Sequence, residues 1–163
     1  MDPKPVPDSG RITEPGEYVL RGDRRIQGVV PPSEAMIRIE SGDVTLDGRG
    51  HAVVGNGVSD TTAITTHGGA TLANVAVENV AVTAWEVGLA LRNVERATIR
   101  GFEATRNSYG IRLERVARST VDDCEVRGNL IGVSLDGASS FDRRSNEVTD
   151  NRLANVHREN DCD

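Results

Sequence analysis

The sequence predicts an all-β chain: a single-stranded, right-handed parallel β-helix of about five coils of 22 residues. Three observations point there. Residue classes recur every 22 positions through the second half of the chain. Apolar residues alternate with a period of two, and no window shows the 3.6-residue period of a helix. The apolar set is mainly Val, Ile, Leu and Ala, with aromatics at only 3%. Small aliphatic side chains suit closely stacked strands, and seventeen glycines imply many turns.

The elements follow in order. Residues 1–10 (MDPKPVPDSG) are Pro-rich and polar and read as a flexible tail. Residues 11–35 read as an N-terminal cap region, with a Pro15-Gly16 turn, a short strand and a loop holding two prolines. Residues 36–158 read as the β-helix, and residues 159–163 as a C-terminal tail. Within the helix Ile37 and Ile39 alternate, then Val44 and Leu46, then Val53, with glycines between them.

The repeat itself is explicit. Gly88, Gly110 and Gly132 fall 22 apart, as do Leu89, Ile111 and Val133, and Leu91, Leu113 and Leu135. Asn107, Asn129 and Asn151 keep the same step, and so do Glu103, Glu125 and Glu147. Going backwards, Val77, Val80 and Val82 fall on the register of Ile99, Phe102 and Ala104. Such a unit holds about three short strands with their turns and is too short for a helix pair. Stacked coils put each position over its equivalent at about 4.8 Å. Inward apolar residues then form ladders, and Asn107, Asn129 and Asn151 form a structural amide ladder at one turn. A glycine ahead of the first strand is expected to supply a positive φ at the corner.

The motif N-x-x-G-[IV] occurs as Asn107-Ser108-Tyr109-Gly110-Ile111 and as Asn129-Leu130-Ile131-Gly132-Val133. It resembles the repeat of the NosD-type parallel β-helix family, also described as a carbohydrate-binding and sugar-hydrolysis domain of the pectate-lyase-like superfamily. The opening Ile12-Thr13-Glu14-Pro15-Gly16-Glu17-Tyr18 and the run Asp43-Val44-Thr45-Leu46-Asp47-Gly48 are similar to the first coils of such proteins, especially from salt-loving archaea. The resemblance covers about residues 11–160. It implies export or a surface location, and its name implies copper-site maturation of nitrous oxide reductase. The chain departs from the family where a second Asn column holds Phe102, Cys124 and Asn146. At the end, Ala154, Asn155 and His157 fall in inward columns on a 22-residue step. That marks the end of the core, in a cap or a surface for self-association.

Several function classes are excluded or narrowed. A net charge of −6 argues against nucleic acid. Lys4 is the only lysine, so the basic residues are nearly all Arg, which fits a GC-rich or salt-adapted source. Cys124 and Cys162 either pair or stand as a buried thiol and a tail thiol. No apolar run approaches membrane-spanning length. No apolar leader is visible, which reads as cytoplasmic, with the resemblance pointing instead outside the cell.

Three constellations could carry chemistry, and three more are weighed and set aside. Glu103, Glu125 and Glu147 would stack, repelling by about 1 kcal/mol per neighbouring pair in a water-like dielectric. The middle one, Glu125, is then expected to protonate first, and a bound Ca²⁺ would relieve the repulsion. The plainer reading is an acidic ladder screened by salt and nearby arginines. A second column holds Arg92, Glu114, Asp136 and Arg158, beside Arg112 and Ser134. Glu114 and Asp136 could form a glycosidase pair, or Arg112 could act as a lyase base; flanking arginines would keep both carboxylates ionised. Trp85, in the Asn column, could stack on a sugar or pack at the corner. His51, His67 and His157 show no metal-ligand spacing, so no metal site is expected. Asp122-Asp123 lacks the rest of a polygalacturonase signature, and Arg21-Gly22-Asp23 matches an adhesion tripeptide of a kind that arises by chance.

Three functions remain from these residues. The first is a non-catalytic β-helix, without cofactor, that binds a polysaccharide or cell-surface glycan or acts as a scaffold. The second is a lyase or hydrolase of acidic polysaccharide. The third is an accessory in copper-site assembly. The strict 22-residue step leaves no room for cleft-building loops and weighs against an enzyme. The longest insertions lie at residues 48–71, with His51, Asp60 and His67.

Overall fold

A computed structural model describes residues 2–26, 35–57, 61–66, 70–136 and 145–158. Among them there is no helix, and every strand pairing is parallel. The strands build three faces of a right-handed solenoid. The first face stacks Arg11–Ile12, Ala35–Ile39, Thr62–Thr66, the start of Val87–Arg100, Tyr109–Ala117, Ile131–Leu135 and Ala154–Arg158. The second stacks Lys4–Pro5, Gly16–Val19, Val44–Asp47, Leu72–Glu78, the end of Val87–Arg100 and Thr120–Asp122. The third is a six-stranded sheet: Arg24–Arg25, Ala52–Val54, Ala81–Thr83, Glu103–Thr105, Glu125–Arg127 and Glu147–Thr149. Six strands there make six coils, one more than the repeat predicts, because the segment read as a cap is itself a coil.

The start of the chain also differs from expectation. Lys4 and Pro5 pair with Tyr18 and Val19, and Val6 is buried. A short apolar residue beside an open strand edge is reason enough for the chain to lie down there.

The core follows the alternation. Inward ladders run Ile37, Ile64, Leu89, Ile111 and Val133 on the first face. On the third they run Val53, Val82, Ala104, Val126 and Val148. All are buried. At the last strand the step becomes 23: Val156, not Asn155, stands opposite Val133, His157 opposite Ser134, and Arg158 opposite Leu135. The single extra residue keeps one more apolar rung, and the core ends where Arg158 faces Leu135.

Gly88, Gly110 and Gly132 serve a different purpose from the one expected. None has a positive φ. A Cβ on Gly110 would sit 2.7 Å from the carbonyl oxygen of Gly132 and 2.8 Å from Val126 Cγ1. These glycines allow coils to approach, and the left-handed corners fall instead on columns such as Ala84, Arg106, Gly128 and Asp150.

Candidate functional site

The turn between the third and first faces is held by a polar ladder. The Asn129 backbone N–H and side-chain amide both donate to Asn151 Oδ1, each at 3.0 Å, and the amide also donates to the Ala104 carbonyl at 3.0 Å. Asn107 repeats this toward Asn129 Oδ1 and the Val82 carbonyl. Asn151 repeats it toward the Val126 carbonyl and toward Asn155 Oδ1. Asn155 therefore takes the place that the next coil's Asn would fill, and closes the ladder from within its own coil.

Trp85 belongs to this ladder and is no sugar platform. It is 2% exposed. Its Nε1–H donates to the Val53 carbonyl at 3.0 Å, and its backbone N–H donates to Asn107 Oδ1 at 3.0 Å. Val53, Val82, Ala104 and Val126 are register equivalents, so the indole N–H makes the bond that an Asn amide makes one coil later. The second Asn column behaves alike where it is polar: Asn146 accepts from Cys124 N–H and donates to the Val121 carbonyl.

The carboxylate ladder on the third face is real in register, with Glu103 beside Glu125 and Glu125 beside Glu147. The group pushed above the usual carboxylate range is Glu103, first by partial burial and then by a hydrogen bond to Glu125 and its charge, with Arg127 opposing. Arg127 Nε lies 3.0 Å from Glu125.

The first face carries the proposed enzyme groups on its outer side. One outward column runs from Arg38 through Thr65, Ala90, Arg112 and Ser134 to His157. A second runs through Thr62, Val87, Tyr109, Ile131 and Ala154. Glu114 stands opposite Arg92, whose Nε lies 3.3 Å away. Asp136 Oδ2 accepts the Arg115 backbone N–H at 2.8 Å. Arg158 is not in this column, since the 23-residue step moves it opposite Leu135. The Arg112 guanidinium lies 4.1 Å over the Tyr109 ring. Strict alternation puts residues three apart on opposite faces, and the stack forms because the alternation breaks at Gly110, whose Cβ position faces the inward Val126.

The remaining candidates are separate. Asp23 of the adhesion-like tripeptide accepts the Ala52 N–H at 2.9 Å and faces His51 at 3.4 Å. These contacts hold its carboxyl below the usual range, the Ala52 bond first. Cys124 is buried, its thiol pushed up to about 11 chiefly by that burial. Asp60, His67 and Cys162 lie outside the described residues, so the disulfide and the His67 site do as well. Among the described residues no three His, Cys, Asp or Glu side chains converge as a metal site would require. Among the described residues no helix is long and apolar enough to cross a membrane.

A family model described as periplasmic copper-binding protein (NosD) matches residues 33–161. No curated protein and no solved structure matches the chain. The described donors fit copper poorly, because His51, Cys124 and His157 stand on different parts of the solenoid and no metal group forms.

Proposed function

We propose, from the premise that this chain belongs to the NosD family, that it is a non-catalytic β-helix working outside the cytoplasm and presenting the outer side of its first face to a glycan. One observation carries the non-catalytic part. The two carboxylates of the would-be catalytic pair already have structural partners, Glu114 with Arg92 and Asp136 with the Arg115 N–H. General acid chemistry needs a carboxyl held neutral near the bond to be cleaved. The family's periplasmic description favours export over the cytoplasmic reading.

The test is incubation with acidic and neutral polysaccharides, following both binding and chain length. Binding without any change in chain length is expected. Cleavage that disappears in Glu114→Gln would establish an enzyme instead.

The family description favours a second reading, a role in copper handling. Copper titration with a melting readout separates the two. The scaffold reading expects no stoichiometric shift, and the copper reading expects a saturable one.

A further inference from the structure

We infer that the corner between the third and first faces carries a site for a phosphate group, held between Arg106 and Arg152. The site does not depend on the glycan-binding reading above. A groove of about 280 Å³ opens at this corner. Its floor is the polar ladder of Trp85, Asn107 and Asn129, and Arg106, Ser108, Gly128 and Arg152 stand around it. Among the described residues no carboxylate lines the groove. That sets it apart in a chain of net charge −6. Both arginines are exposed, and among the described residues neither makes an ion pair. Elsewhere arginines are drawn to carboxylates, as Arg11 is to Glu40 and Arg92 to Glu114.

The register brings the two arginines together. The N–H groups of Ser108, Leu130 and Arg152 donate to the carbonyls of Trp85, Asn107 and Asn129, so these three residues share one column in successive coils. Arg106, Gly128 and Asp150 each precede a ladder asparagine and share the column on the other side of it. Arg106 and Arg152 therefore stand two coils apart, about 10 Å along the axis. Gly128 lies between them. A Cβ there would meet only the Arg106 backbone nitrogen, at 4.0 Å, so the missing side chain keeps the gap open. Asp150 lines a neighbouring groove on the third-face side, which Arg106 and Arg127 also border. The ladder oxygens facing the first groove are already taken, Asn107 Oδ1 by the Trp85 N–H and Asn129 Oδ1 by Asn107. What remains to a ligand is two guanidinium forks and the Ser108 hydroxyl. A phosphate group accepts from all three, and an arginine fork bonds two of its oxygens at once.

The experiment is calorimetric titration of the full chain with inorganic phosphate at low chloride, since salt screens an exposed site. Beside it runs flotation with phosphatidylcholine vesicles, with and without phosphatidic acid, which offers the same monoester on a lipid. The variants are Arg106→Gly and Arg152→Gln, with Arg25→Gln at the far end of the solenoid as the charge control. Glycine suits the Arg106 φ of 58, so that variant should melt no lower than the wild type. Saturable binding to at least one probe is expected. Each corner substitution should weaken it about tenfold or more, the range for losing a charged hydrogen bond, and Arg25→Gln should leave it unchanged. Binding of inorganic phosphate supports the site with a free anion as its ligand, and binding only of phosphatidic acid supports it with a lipid headgroup. Absence of binding to both probes overturns the site. So does binding that survives both corner substitutions, or that Arg25→Gln weakens equally.

Discussion

The two halves of the solenoid solve one problem in different ways. From residue 72 onward, register partners are 22 residues apart until the last strand, where the step is 23, and the turns are tied by an Asn to the next coil. Before it, apart from Lys4 and Pro5, whose partners are 14 residues on, partners are 25 to 31 apart, as in Ile64 with Leu89 and Leu46 with Val77. Trp85 stands at the seam. It accepts the irregular coil's geometry with a large ring, yet bonds forward and back as an Asn does. Regularity is thus a property of turns, not of strands. Strands stack at any step if inward residues stay apolar, but an amide ladder needs coils of equal length.

The largest effects should come from the regular half. Asn129→Ala leaves the Asn107 N–H and the Ala104 carbonyl without their partners, and is expected to cost about 3 kcal/mol in denaturant unfolding. Gly110→Ala drives a Cβ against the Gly132 carbonyl and should cost a similar amount, about 3 kcal/mol. Gly22→Ala, with nothing within 4 Å, should stay within about 0.5 kcal/mol. Equal costs for the two glycines would remove the coil-approach account.

At the seam, Trp85→Phe keeps most of the ring and loses the bond to Val53, so a cost of about 1.5 kcal/mol is expected. Ala84→Gly works in the other direction. Ala84 has φ 67, so glycine should raise stability by about 1 kcal/mol, read as a higher melting temperature.

The smallest effect concerns pH. Glu103 has a raised folded pKa, so its contribution is fully present below the unfolded carboxylate value and is lost as pH rises through the folded one. Glu103→Gln should therefore melt higher than the wild type at neutral pH, and the two should converge below about pH 4. Convergence at neutral pH instead would place the repulsion elsewhere.

The fold was legible because the ladder residues repeat by type. Val82, Ala104, Val126 and Val148 can be aligned by eye, and the structure pairs them so. The end was misread because one extra residue in a turn changes no residue class, yet moves Val156 into the place given to Asn155. Trp85 was ambiguous because residue type says nothing about exposure; its place in the Asn column was the usable signal. The glycines recur for close approach, which looks the same in sequence as a positive φ. Site geometry was the least legible. Whether an arginine meets a carboxylate, as Arg127 meets Glu125, or a ring, as Arg112 meets Tyr109, depends on side-chain direction, which spacing does not encode.

The central structural claim is one continuous ladder from Trp85 to Asn155. Hydrogen exchange resolved at single amides tests it most directly. The backbone N–H groups of Trp85, Asn107, Asn129 and Asn151 donate to side-chain oxygens within the turn. They should exchange as slowly as the core strand amides, through global unfolding. Exchange at the rate of exposed turns would contradict the ladder and the account built on it.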